Sequence, residues 1–250
     1  MVEIQSLARG LTILDLLSQS VAGVSITEVT AALDVDKGSA SRLMSTLARH
    51  GYAIKDPATR RYALGPEIYR LSGSLQAQNP LHKTARPFLK QLMERTGECA
   101  HLAILAHGKA LYIDQVESPA TLSVNVQVGR MAPLHCTALG KVLLAYNMGE
   151  FPASLDTFTP RTITDPASLR LHLEIVRQKG YALDNEEFDA GVCCIAVPAY
   201  DFHNSVVGAI GISGPATRLT QEKLPDLAAI VVKIGETLSS RMSFIHLQSP

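Results

Sequence analysis

The stretch 25-SITEVTAALDVDKGSASRLMSTLARHGYAIKDPATRRYAL-64 reads as helix, turn, helix and hairpin. Ser25 and Glu28 stand at capping-box spacing, so a helix begins at Ile26 and turns Ile26, Val29 and Leu33 inward. Asp34-Val35-Asp36 interrupts it, and Asp36 is placed to cap a second helix over residues 37–50. Gly51, free to take positive φ, ends that helix. At about 100° per residue, Ala40, Leu43 and Leu47 share one face of the second helix, while Gly38, Ser41, Arg42, Ser45 and Arg49 share the opposite one. That outer face is small, hydroxylated and basic, which suits close approach to the floor of a DNA major groove. Residues 52–55 and 61–64 alternate as two short strands around Asp56-Pro57-Ala58-Thr59, a turn with proline at its second position. The predicted unit is a winged helix-turn-helix.

Charge supports this reading locally. The chain of 250 residues has a formal net charge of zero, which disfavours indiscriminate attraction to polyanions. Between residues 37 and 61, however, Lys37, Arg42, Arg49, Lys55, Arg60 and Arg61 face a single acid, Asp56, and phosphate contacts need such clustering. Lys37, Ser39, Ser41, Arg42, Ser45 and Arg49 on the second helix, with Arg60 and Arg61 on the wing, are the candidate contacts to double-stranded DNA. No apolar run is long enough to cross a membrane, and no signal peptide is expected, because Asp15 interrupts the apolar run Leu11 to Leu17. Cys99, Cys136, Cys193 and Cys194 have neither zinc-ligand spacing nor a disulfide framework, so a reducing cytoplasm is the expected setting and no metal or cofactor is implied.

Outward from the hairpin, residues 6–18 form an amphipathic helix whose Leu7, Leu11, Leu14 and Leu17 are expected to pack on the other two. Pro66 opens a linker helix, with Ile68, Leu71 and Leu75 on one side, that stops at Asn79-Pro80. Its apolar stripe either packs on its own chain or pairs with a second copy. Three segments result: residues 1–65 for DNA binding, 66–80 as linker and 81–250 as a second domain. In the second domain a helix carrying Phe88, Leu89, Leu92 and Met93 ends at Gly97, and a hairpin turns at His107-Gly108-Lys109. Leu122, Val124, Val126 and Val128 alternate as a strand with one buried face. Residues 137–146 return to helix. Asp165 and Pro166 start another, closed by Gly180. Further strands follow over residues 181–184, 194–200 and 206–213, and a last helix comes after Thr220. The layout is α+β, an antiparallel sheet packed by helices.

With these residues marked, the chain resembles the IclR-type bacterial transcriptional regulators over nearly its whole length. The resemblance rests on Ser6-Leu7-Ala8-Arg9-Gly10-Leu11, on the helix-turn-helix with its wing closing in Tyr62-Ala63-Leu64-Gly65, and on Pro133-Leu134-His135-Cys136-Thr137-Ala138-Leu139-Gly140-Lys141. Gly180-Tyr181-Ala182-Leu183-Asp184-Asn185-Glu186-Glu187, Cys194-Ile195-Ala196 and Tyr200-Asp201 are similar to the family signature. Ala199 departs from it, as do Asp34 and Asp36 in the turn. The resemblance implies a GAF-like effector domain, homodimers or dimers of dimers, and control by a small organic acid. It places effector contacts at Ala138, Leu139, Asp184, Cys194, Gly211 and Ser213. Leu139 and Gly211 are themselves departures, which imply a changed pocket volume and one fewer polar contact.

The residues also suggest a pocket by their own chemistry. A helix starting near Thr137 leaves its first N–H groups unpaired, and Gly140 would let an anion approach the backbone. Cys194 and Ser213 lie on alternating strands and can face the same interior side. Asp184 would repel a carboxylate, so its role is to accept a hydrogen bond from a ligand hydroxyl or a loop N–H. The alternative function is an enzyme that turns over a small acid in this pocket. Adjacent His135 and Cys136 rarely aim at one atom, however, and no paired acid and base or phosphate loop accompanies them. A protein-interaction module with a degenerate helix-turn-helix is a third reading, which Arg42, Ser41 and Ser45 on the outer face disfavour.

Overall fold

The computed structural model describes residues 3–146 and 151–247, and the chain divides into two compact units, Met1–Gln78 and Asn79–Pro250. In the first unit, α1 (Gln5–Ser18), α2 (Ile26–Leu33) and α3 (Lys37–Arg49) precede a hairpin of β1 (Ala53–Lys55) and β2 (Tyr62–Leu64), and α4 (Glu67–Gln78) closes the unit. The capping box at Ser25 forms as its spacing requires, with the Ser25 hydroxyl accepting from the Glu28 N–H and the Glu28 carboxylate accepting from the Ser25 N–H. Asp34 takes the left-handed conformation at φ 49°, and Asp36 accepts from the Ser39 N–H to start α3. Gly51, at φ 78°, turns the chain into the hairpin. Val24 adds a third short pairing by exchanging hydrogen bonds with Tyr62, a bridge the sequence pattern did not announce.

Two expected faces are corrected here. The core is Ile13, Leu17, Val24, Val29, Ala40, Met44, Ala53 and Tyr62, so Met44 joins Ala40 inside α3 while Leu43 and Leu47 are only partly buried. On α1, Ile13 and Leu17 face the core, whereas Leu7 and Leu11 are 60% and 56% exposed. A leucine spacing of three and four therefore marked two neighbouring faces of one helix, one buried and one open. Helix α4 contains no buried residue, and Leu71 and Leu75 on it are exposed.

The second unit is built on a six-stranded antiparallel sheet in the order β5-β4-β3-β8-β7-β6. Its strands are β3 (Cys99–Ala106), β4 (Lys109–Val116), β5 (Met131–Ala132), β6 (Ala182–Asn185), β7 (Val192–Tyr200) and β8 (Val206–Pro215). Helices α5 (Pro80–Thr96) and α8 (Leu224–Leu247) cover one face through Leu89, Leu92, Val231, Ile234 and Leu238. Helices α6 (Ala138–Tyr146) and α7 (Pro166–Lys179) contribute Val142, Leu143, Leu169 and Leu173 to a second cluster over the other face. Caps delimit these helices as expected: Asn79 before α5, Gly97 after it, Asp165 before α7 and Gly180 after it, both glycines at positive φ. The β3–β4 turn places His107 and Gly108 at φ 48° and 70°, the left-handed pair that a tight hairpin needs.

One expected strand is absent. Residues 122–128 form no ladder; Val126 is buried, but Leu122 and Val128 are 64% and 52% exposed. The segment lies over the sheet instead, tied by the Val126 N–H to the Gln115 side chain and by the Gly129 N–H to the Tyr112 carbonyl. Of the four alternating residues Val126 is buried and Val124 half-buried, so the alternation marks neither a strand nor one continuous buried face.

Candidate functional site

On the DNA-facing candidate surface, Lys37, Ser41, Arg42, Ser45 and Arg49 are all exposed along α3. Ser39 is half-buried and belongs to the cap: its hydroxyl donates to Asp36 Oδ2 at 2.6 Å and accepts from Arg42 Nη2 at 2.9 Å. Hydrogen bonds from the Ser39 hydroxyl and N–H hold the Asp36 carboxyl below its ordinary range. The cap thus orients Arg42 as well as starting the helix. The two wing arginines differ. Arg60 is exposed at φ 59°, with its backbone N–H bonded to the Asp56 carbonyl. Arg61 instead turns back, donating to the Ala22 and Gly23 carbonyls and to both oxygens of Glu28 at 2.8 and 2.9 Å. Arg61, expected at the DNA, braces the wing to α2 here, because the capping-box carboxylate has acceptor capacity left for it. The Ser25 side-chain and backbone hydrogen bonds, followed by Arg61, pull the Glu28 carboxyl down to about 2.

The second candidate site is a cavity on the α6 side of the sheet, with a volume of about 30 Å³. The strand register builds its floor. Asp184 on β6 pairs with Cys194 on β7, Cys194 pairs with Ser213 on β8, and Ser213 pairs with Cys99 on β3, a single row across four strands. Ala138 and Leu139 supply the wall from the first turn of α6. Tyr112, Arg130 and Phe188, absent from the expected set, also line the cavity. The Arg130 guanidinium lies 5.3 Å from the centre of the Phe188 ring. Arg130 is the one cation among the lining residues. It was hidden in a loop with no local pattern, so only the fold brings it to the site.

Two expected members lie elsewhere. Neither Gly140 nor Gly211 lines the cavity. A Cβ on Gly140 would stand 2.6 Å from Leu134 Cα, so glycine is required there for the loop to pack on α6. Its N–H is also taken, donating to the Thr137 hydroxyl at 3.1 Å. A Cβ on Gly211 would collide with the Ile195 carbonyl oxygen on the neighbouring strand. Both glycines answer a packing need.

The electrostatics behind the floor are unusual. Lys141 is fully buried on α6, and its ammonium donates to Glu187 Oε1 at 2.5 Å, with His172 Nε2 3.4 Å away. The Glu187 N–H in turn donates to Asp184 Oδ1 at 2.8 Å. Desolvation raises the Asp184 carboxyl to about 7 despite that bond. Lys141 was legible as a lone charge in the apolar run Ala138–Tyr146, where burial demands a partner. Burial also pushes the Cys136 thiol up to about 12 and the Cys194 thiol well above its ordinary value, so neither is poised as a nucleophile near neutral pH. His135 engages the Asp156 carbonyl rather than Cys136. Among the described residues no group of three or more His, Cys, Asp or Glu could hold a metal ion, and no helix is long and apolar enough to cross a membrane.

A capped helix pair with a basic outer face and a wing, joined in one chain to a sheet domain holding a small cavity, defines a ligand-responsive transcriptional regulator. Residues 6–57 match the IclR helix-turn-helix domain, and residues 74–240 match the bacterial transcriptional regulator IclR C-terminal domain. The chain belongs to the IclR family of bacterial transcriptional regulators. It is 36% identical over 248 residues to the HTH-type transcriptional regulator BhcR of Paracoccus denitrificans, across 96% of this chain and 88% of that protein. The crystal structure of an IclR transcriptional regulator from Alicyclobacillus acidocaldarius superposes with a TM-score of 0.85 at 27% identity, covering 96% of this chain and all of that one. An IclR homologue from Microbacterium hydrocarbonoxydans, crystallised with 4-hydroxybenzoate, shares the fold at 21% identity with a TM-score of 0.82, covering 95% of this chain and 98% of that one. Family regulators bind operator DNA and small-molecule effectors, and the homologues are regulators and not enzymes.

Proposed function

We propose that this regulator binds its operator through the outer face of α3 and the Arg60 wing tip, with operator affinity set by a small organic acid in the α6-side cavity. The observation that carries the reading is the convergence of Arg130, the first turn of α6 and the Asp184–Cys194–Ser213 row on one small enclosed space. Arg130 pairs the carboxylate, assisted by the N–H groups of Ala138 and Leu139 at the helix start. Asp184 and Ser213 meet the far end of the ligand. The solved relative that holds 4-hydroxybenzoate, itself a small acid, supports an acid as the ligand class. The protein acts in the cytoplasm as a homodimer or a dimer of dimers, assembled through the exposed Leu7–Leu11 face of α1 and the Leu71–Leu75 face of α4. The test is fluorescence anisotropy on an operator recovered by selection from random DNA, with and without a panel of small acids. One acid should shift the operator affinity, Arg130→Ala should abolish the shift, and affinity without ligand should be unchanged. A ligand can move the equilibrium only by its differential affinity for the two protein states, so an unshifted operator affinity across the panel overturns the reading.

A further inference from the structure

Beside the row that floors the cavity runs a second row on the same face of the sheet: Ala182, Ala196, Gly211 and His101, paired in turn across β6, β7, β8 and β3. Three of these are small, and the fourth is a fully buried histidine. Neither ring nitrogen of His101 makes a hydrogen bond of good geometry, although the Val124 backbone lies close enough to favour its protonated form. Gly211, directly opposite on β8, has no side chain to offer. The Tyr112 ring meets the imidazole edge-on, with centroids 5.7 Å apart. Tyr112, Val124 and Ser213 all line the cavity, so His101 stands directly behind its wall. Burial brings the His101 ring down to about 4, so it is neutral at physiological pH, with one N–H to donate and one nitrogen that can only accept.

His101 does not itself line the cavity; with its N–H directed to the Val124 backbone, its other nitrogen is an unmet acceptor one side-chain layer behind the wall. A buried acceptor left unpaired costs free energy, which a ligand donor regains. We propose that His101 is a specificity-determining residue of the effector pocket, and that the effector is a small hydroxy acid whose hydroxyl donates to the free ring nitrogen. The inference rests on the reading of the cavity as an acid-binding site, where Arg130 and the α6 start take the carboxylate. Asp184 also lines the cavity and meets the ligand there, with its Oδ1 already accepting the Glu187 N–H; His101 adds a ring acceptor that no protein group meets. Access comes from the covering segment: residues 122–128 belong to no ladder, so Val124 and Val126 can yield without breaking the sheet. The cavity of about 30 Å³ makes the smallest hydroxy acids the first probes.

The experiment is isothermal titration of the full-length protein with two matched pairs, glycolate against acetate and lactate against propionate. In the parent, at least one hydroxy acid should bind about tenfold more tightly than its deoxy partner. His101→Phe keeps the ring packed on Tyr112 and removes both nitrogens; it should bring that ratio close to one. His101→Gln should restore part of the preference. If the variants do not fold, 15N spectra of the imidazoles in the parent give the same answer: the accepting nitrogen of His101 should move with the hydroxy acid and stay still with its partner. A hydroxyl preference that survives His101→Phe, or a His101 resonance unmoved by either acid, overturns the inference. Acids that bind without regard to the hydroxyl overturn it and leave the acid site standing. If none of the four acids binds, the acid reading itself falls, and the role of His101 with it.

Discussion

Single residues in this protein act through the neighbours that hold them. Arg42 projects from the outer face of α3, and the Ser39 hydroxyl, itself bonded to the capping Asp36, restrains its guanidinium. A pre-oriented arginine on a recognition helix suits a bidentate contact to guanine, so Arg42→Ala should cost roughly 1–3 kcal/mol of operator affinity and relax preference at one base pair. Anisotropy on single-base operator variants measures both; unchanged binding removes α3 from the interface. Asp184 shows the same dependence in the other unit. Its carboxyl is raised from 3.8 to about 7 by burial, so the folded protein holds a proton there that the unfolded chain releases. Stability from this group is complete below pH 4, declines as pH rises, and is gone above about 7, a loss on the order of a few kcal/mol. Asp184→Asn should flatten that slope, so thermal melts of parent and variant should diverge most at pH 8 and converge at pH 4.

At the scale of elements, the sequence announced what local chemistry controls and missed what only the fold assembles. The starts of α2, α3 and α7 were legible because Ser25, Asp36 and Asp165 answer a purely local demand, the unpaired N–H groups of a first helical turn. Asp184, Cys194 and Ser213 were marked by the family resemblance; alternation allowed Cys194 and Ser213 to share a face, and the register that puts Asp184 in their row is a property of the assembled sheet. Residues 122–128 misled because a covering segment can alternate as a strand does, and Arg130 and Tyr112 were missed because nothing within a few residues of either points to a site. Lys141 occupies middle ground, conspicuous in an apolar helix but with its partner Glu187 46 residues away. Breaking that pair should be severe: Glu187→Ala leaves a buried ammonium uncompensated and should cost about 3–5 kcal/mol in denaturant unfolding, whereas replacing both partners by apolar residues of similar volume should cost much less. The wing offers a contrasting pair. Arg60→Ala should lower the salt dependence of operator binding by about one ion, since the residue is free to meet phosphate. Arg61→Ala should leave the salt slope alone and cost little stability, because its bridge to Glu28 is largely exposed.

For the whole molecule, the decisive quantity is how many copies meet the DNA. One α3 helix touches only a few base pairs, and such a contact cannot discriminate an operator from the rest of a genome. On the proposed reading, a second copy would supply the remainder through the apolar residues left uncovered on α1 and α4: Leu7 and Leu11 on one helix, Leu71 at 42% and Leu75 at 67% exposure on the other. Both helices belong to the unit that carries α3, so pairing through them would set the distance between two recognition helices. The operator should then be an imperfect palindrome with half-sites about one helical turn, roughly 34 Å, apart or a multiple of it. Leu11→Glu combined with Leu75→Glu should weaken self-association, seen by light scattering at micromolar concentration, and should reduce operator binding far more than binding to an isolated half-site. The fold of each unit should survive, because these side chains contribute little to either core. A double variant that remains a dimer with full operator affinity would place the pairing surface elsewhere, and a parent that scatters as a monomer while binding with full selectivity would remove the need for one.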